Sequence, residues 1–197
     1  STPSNSSAAS DVYKRQKITI VTNDPTKRYY YTLLFDDKYR VKIATRNINI
    51  PGVQNFRDLG GYPSYSTKKQ MRWGMIYRSA EIDSLECSSR RELKNLGIRT
   101  LIDLRASSEI GRQSPLQKGF NVVHIPLATG DMEGILKGIR EEKIKSDTVY
   151  RMVERMNRIL IDQYTKEYRQ IFDILLDKNS YPVVIPVSYT HLTLPTN

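Results

Sequence analysis

The chain has 197 residues, 39% of them hydrophobic and 26% charged. That supplies one soluble-type domain with a real core and excludes a fibrous or low-complexity polymer. No run of about 18 apolar residues occurs, which excludes a membrane-crossing helix, and the formal net charge of +10 favours anionic partners. Nucleic acid is not the expected partner, because neither zinc-ligand spacing nor an aromatic–basic RNA signature accompanies the charge.

Residues 1–16 are rich in Ser, Ala and Asn and end Asp11-Val12-Tyr13-Lys14-Arg15-Gln16. They carry no periodicity, so disorder is expected. This tail and the stretch Pro186-Val187-Ser188-Tyr189-Thr190-His191-Leu192-Thr193-Leu194-Pro195 look like translated adaptor sequence. On that reading the native stretch is about Lys17 to Ile185, and residues 186–197 form a second non-native tail. Lys17–Val21, Arg28–Phe35 and Arg40–Thr45 are rich in Ile, Val, Thr and Tyr and are bounded by turn residues. They predict an antiparallel meander over residues 17–46, the remnant of a β-sandwich module.

Arg72–Tyr77 predicts a short strand. Ser89 and Glu92 have the spacing of a capping box, with Leu93 and Leu96 facing inward and Gly97 ending the helix. Ile98–Leu104 and Phe120–Leu127 are short apolar runs of the kind buried on both faces of a parallel sheet. Residues Met132–Lys145 predict a helix weakened by Gly134 and Gly138. Apolar residues then recur at helical spacing from Val149 to Leu175, and Tyr181–Ile185 predicts a last short strand. Strand–helix alternation gives an α/β domain with a mainly parallel sheet flanked by helices.

Asn55 to Tyr62 reads Asn-Phe-Arg-Asp-Leu-Gly-Gly-Tyr. Gly60 and Gly61 permit a tight turn. Arg57 either pairs with Asp58 to fix that turn or reaches an anion. Three further pieces follow in order: Tyr77-Arg78-Ser79-Ala80, Ile102-Asp103-Leu104-Arg105 and His124-Ile125-Pro126-Leu127. Arg78 and Arg105 each close a predicted strand, the end of an α/β sheet where ligands bind. The alternative is a buried Arg–Asp network, Arg57 or Arg105 with Asp58 or Asp103, which ties the turn to the sheet. That alternative is favoured for Asp58, Asp103 and Arg105. His124 lies within a strand and suits a structural role better than a catalytic one.

This ordered set, from about Asn47 to Ile185, resembles the bacterial tyrosine phosphatase family of the mycobacterial phosphatase B type. The resemblance implies a cysteine-phosphatase-like fold that hydrolyses phosphate monoesters of proteins or phosphoinositides, without a metal or other cofactor. Arg57, Asp58, Arg78, Ser79, Asp103 and Arg105 fall on the family's motif positions, where they bind phosphate or hold the site together. The family's nucleophile loop, His-Cys-x-x-Gly-Lys-Asp-Arg-Thr-Gly, follows a strand like Pro182–Ile185. Here the His and Cys positions hold Pro186 and Val187, so the nucleophile is expected to be absent, the phosphatase-like domain (47–185) incomplete and the chain inactive. Ser188 lacks the activating loop. Cys87, the single cysteine, is six residues from Leu93 where an Arg is required. The resemblance places a general acid shortly after the strand ending near Leu127. Asp131 is the candidate, with Glu133 in reserve, and capping of the next helix is its alternative role. A metal-dependent phosphatase needs a His/Asp cluster that His124 and His191 alone do not supply. A non-catalytic phosphate- or phosphotyrosine-binding module is one rival to an enzyme, and an interaction protein that engages a partner through the meander, Lys17–Thr45, is the other. Compartment and oligomeric state are not encoded in any motif found.

Overall fold

The computed structural model describes residues 19–21, 27–82, 85–105, 119–127 and 146–187. A hairpin comes first, β1 (Tyr31–Phe35) and β2 (Tyr39–Ile43), closed by a turn with Asp36 and Asp37 at positive φ. Two-residue strands β3 (Arg57–Asp58), β4 (Pro63–Ser64) and β5 (Lys69–Gln70) follow, then β6 (Ile76–Ala80). Helix α1 (Cys87–Asn95) leads to β7 (Thr100–Asp103) and β8 (Asn121–His124). Helices α2 (Ser146–Gln163) and α3 (Thr165–Leu176), a short 3-10 turn (Lys178–Ser180) and β9 (Val183–Val187) complete the described order.

The main sheet has the order β3-β6-β9-β7-β8. Strands β6, β9, β7 and β8 run parallel, and β3 caps one edge antiparallel to β6. The alternation of strand side chains explains how so short a chain covers both faces. Tyr77, Leu101 and Val184 are buried on one face with Phe56, Ile82 and Leu93 of α1. Ile102 and Val183 are buried on the other with Ile171 of α3. Burial on both faces is why Leu101 and Ile102 of β7 and Val183 and Val184 of β9 are apolar at successive positions rather than at every second one. The fold is therefore the expected α/β arrangement, a mainly parallel sheet flanked by helices and preceded by an antiparallel hairpin.

Local chemistry departs from expectation in three places. Residues 19–21 carry no regular structure, so the hairpin has two strands among the described residues. Helix α1 starts at Cys87, with Glu86 at its N-cap making no side-chain cap bond. Ser89 does not cap because its buried hydroxyl donates instead to the Pro51 carbonyl, 2.5 Å away. Gly97 does end the helix, at φ 74. The helical run from Val149 breaks at Tyr164, between α2 and α3. The helix predicted over 132–145 lies outside the described residues.

Candidate functional site

The turn from Asn55 to Tyr62 is organised around one carboxylate. Asp58 is fully buried and accepts from the backbone N–H of Gly60 at 2.7 Å and of Gly74 at 2.8 Å. Its cation is Arg28, whose Nη2 lies 2.8 Å from Oδ2 and 3.0 Å from the Thr45 carbonyl. Arg46 donates to the Asp58 backbone carbonyl at 2.9 Å and stacks 4.0 Å over the Tyr62 ring. The glycines are required because Trp73 lies against them. A Cβ on Gly60 would stand 2.8 Å from the Trp73 ring, and Gly61 also has φ +78. Arg28 and Arg46 were not among the candidate residues.

The turn delivers Arg57 to a particular place. Antiparallel pairing of β3 with β6 sets Arg57 directly opposite Arg78, and parallel pairing sets Arg78 beside Ile185 of β9. Directly opposed residues share a face, with Cβ atoms about 4.5–5.5 Å apart, and like charges there repel. Both arginines are partly buried. Neither forms an ion pair among the described residues, and the buried Nε of Arg78 has no acceptor there. Two arginines opposed across β3 and β6, with no ion-pair partner among the described residues, have the chemistry to hold a phosphate in a fork.

Arg105 and Asp103 behave differently. The Asp103 carboxylate accepts from Arg105 Nε at 3.0 and 3.1 Å, from Nη2 at 2.7 Å and from the Arg105 backbone N–H at 3.1 Å. Arg105 Nη1 also lies 3.8 Å from Glu81. Glu81 directly follows β6, Arg105 follows β7 by two residues, and β9 lies between those strands. This contact therefore crosses the carboxyl end of β9. His124 Nε2 is 2.8 Å from the Arg105 carbonyl, which fixes the loop after β7 against the edge strand.

The remaining candidates divide clearly. Ser79 is fully buried and its hydroxyl donates to the Ala80 carbonyl, so it is closed to solvent. Cys87 is exposed at the start of α1, while Leu93 is fully buried in the core and no arginine stands at that position. Asp131, Glu133, Ser188 and His191 lie outside the described residues.

Residues 48–187 match the model described as the tyrosine phosphatase family. The chain is also 38% identical over 79 residues to the triple specificity protein phosphatase PtpB of Mycobacterium tuberculosis. That match covers 39% of this chain and 27% of the relative, so the chain spans about a quarter of the length of that curated protein. The family model covers most of the chain, which folds as a mainly parallel sheet flanked by helices, and the chain belongs to the tyrosine phosphatase family.

Proposed function

We propose that this chain carries the sheet scaffold of a phosphate-monoester hydrolase, and that the chain itself binds the phosphate group without turning it over. The observation that carries the reading is the Arg57–Arg78 pair, which has no ion-pair partner among the described residues, with Arg78 next to the central strand β9 and Arg57 opposite it on β3. In a family member with the nucleophile loop, a thiolate just past that strand attacks phosphorus and forms a phosphocysteine. The P–O bond to the substrate breaks, and a carboxylic acid supplies the proton taken by the leaving oxygen. Backbone N–H groups of the loop lower the thiol pKa and cradle the phosphate oxygens. Here Pro186 and Val187 stand at the positions of the His and Cys. An isopropyl group has no lone pair to donate, so the covalent step has no donor at that position.

Asp131 is the assigned proton donor, and Arg57 and Arg78 are the assigned anion ligands. Asp58, Asp103 and Arg105 hold the surrounding turn and loop in place. The substrate class is a phosphorylated protein or a phosphoinositide, and the triple specificity of the mycobacterial relative favours breadth. A second reading, a phosphotyrosine-binding module with no catalytic role, is favoured by the same two arginines, which have no ion-pair partner among the described residues, combined with Pro186 and Val187.

The test is a p-nitrophenyl phosphate assay alongside binding of a phosphotyrosine peptide. Expected are no turnover above buffer and saturable, salt-sensitive binding that weakens in Arg78→Ala. Turnover unaffected by Ser188→Ala would overturn the assignment of the missing nucleophile.

A further inference from the structure

Arg28 does more than pair with Asp58. Its side chain is 8% exposed, yet Nε and Nη1 are buried with no hydrogen-bond partner among the described residues. The guanidinium lies over the rings of Tyr30 and Tyr77, at 5.1 and 5.8 Å. Those contacts favour the cation but do not satisfy its in-plane N–H groups. A buried donor without an acceptor is unusual and calls for one.

Arg28 lines an open cavity of about 970 Å3, together with Lys27, Asn49, Gly74, Tyr77 and Asn95 among others. Its position separates it from the arginine pair beside β9. Gly74 stands two residues before β6 begins, and Asn95 ends α1 ahead of β7. The cavity thus opens at the amino-terminal edge of the parallel strands, opposite the edge crossed by the Arg105–Glu81 contact. Glu92 is the carboxylate in the lining, set against Lys27 and Arg28. Asp58, the neighbouring carboxylate, already accepts three hydrogen bonds.

We propose that this cavity is a second oxyanion site, in which the free N–H groups of Arg28 take a carboxylate or phosphate group of a small ligand whose remaining bulk fills the groove. The volume leaves room for a body well beyond the anion itself, at the upper end of the range for small-molecule sites. Tyr30 and Tyr77 supply aromatic surface beside the guanidinium. The inference stands apart from the hydrolase reading, since it uses none of the residues assigned there.

The test is a nitrogen-15 NMR titration of the whole chain with sodium phosphate and with sodium acetate, each against chloride at matched ionic strength. Expected is a saturable shift of Arg28 Nε–H and the Gly74 amide, by phosphate alone if the ligand group is phosphate, and by both if carboxylates fit. Arg28→Lys should weaken binding about tenfold, through loss of the planar fork. Because Arg28 also supports the fold, Asn95→Trp provides a second variant, filling the cavity from an exposed position and leaving the Asp58 pair intact. It should abolish the shift at Arg28. No saturable shift there with either anion, or an unchanged one in Asn95→Trp, overturns the proposal. Shifts at Arg57 and Arg78 alone would sink this inference and leave the hydrolase reading standing; shifts at Arg28 and Gly74 alone would do the reverse.

Discussion

Asp58 is the residue on which the Asn55–Tyr62 turn depends. Two backbone N–H groups and one guanidinium converge on a fully buried carboxylate. Removing it strands Arg28 as a buried charge without a partner, so Asp58→Ala should lose about 3–5 kcal/mol, read from urea unfolding. A loss under about 1 kcal/mol would mean that solvent reaches Arg28 and replaces the pair. Tyr77 gives a second residue-level outcome. Burial first, then the neighbouring Tyr30, hold its phenol above the ordinary 10.0. Above pH 10 the unfolded chain releases that proton while the folded chain keeps it. Stability should therefore be intact below pH 10 and fall as pH rises beyond it, by up to about 1.4 kcal/mol per pH unit for this group. Tyr77→Phe should flatten that part of the pH–stability curve; an equal slope in the variant would assign the effect elsewhere. Arg28 itself was not legible from sequence. It stands 30 residues before Asp58, in a segment whose composition suggests a separate β module, and no local spacing connects the two.

Among the elements, strands were easier to locate than their neighbours. Ile98–Leu104 and Tyr181–Ile185 are mostly apolar, and a strand buried on both sides needs no polar face. Periodicity fixed helix type but not helix ends. Ser89 and Glu92 have capping-box spacing, yet Ser89 is drawn to the Pro51 carbonyl by the packing of the preceding loop, a tertiary contact that local spacing does not encode. The opposition of Arg57 to Arg78 was likewise invisible, because register between β3 and β6 depends on the turn between them. That pairing has a measurable consequence. Like charges opposed across two strands are mutually destabilising by about 0.2–1 kcal/mol. Arg57→Ala should therefore leave the Tm in low-salt chloride buffer unchanged or slightly raised, while reducing the Tm gain produced by added phosphate. A marked fall in Tm in chloride would show that Arg57 has a structural partner instead. Packing on the other face is testable through Ile171 of α3, which is 7% exposed and joins Ile102 and Val183 in one cluster. Ile171→Ala should cost about 2–5 kcal/mol, measured by chemical denaturation. A much smaller loss would indicate that α3 is not seated on the sheet.

At the scale of the whole molecule, the +10 charge and the placement of the arginines combine. A basic surface raises the local concentration of any anion, but it does so for chloride as well as phosphate. On the proposed reading, what distinguishes a site from a field is Arg78 next to the central strand with Arg57 opposite it on β3. The strand order β3-β6-β9-β7-β8 puts them there, because β9 enters between β6 and β7 after the two long helices. The family resemblance was legible in the four ordered motifs. The Arg–Asp network expected of Asp58, Asp103 and Arg105 has Asp103 on Arg105 and Asp58 on Arg28, a partner no motif pointed to, and Arg57 and Arg78 have no ion-pair partner among the described residues. The most direct measurement is anomalous diffraction from crystals of the chain soaked in tungstate, a heavy phosphate mimic. The account predicts a tungsten peak within hydrogen-bond reach of Arg57 and Arg78, beside β9, that disappears in Arg78→Ala crystals. Tungsten bound only elsewhere, with those two arginines paired to carboxylates of their own chain, would contradict it.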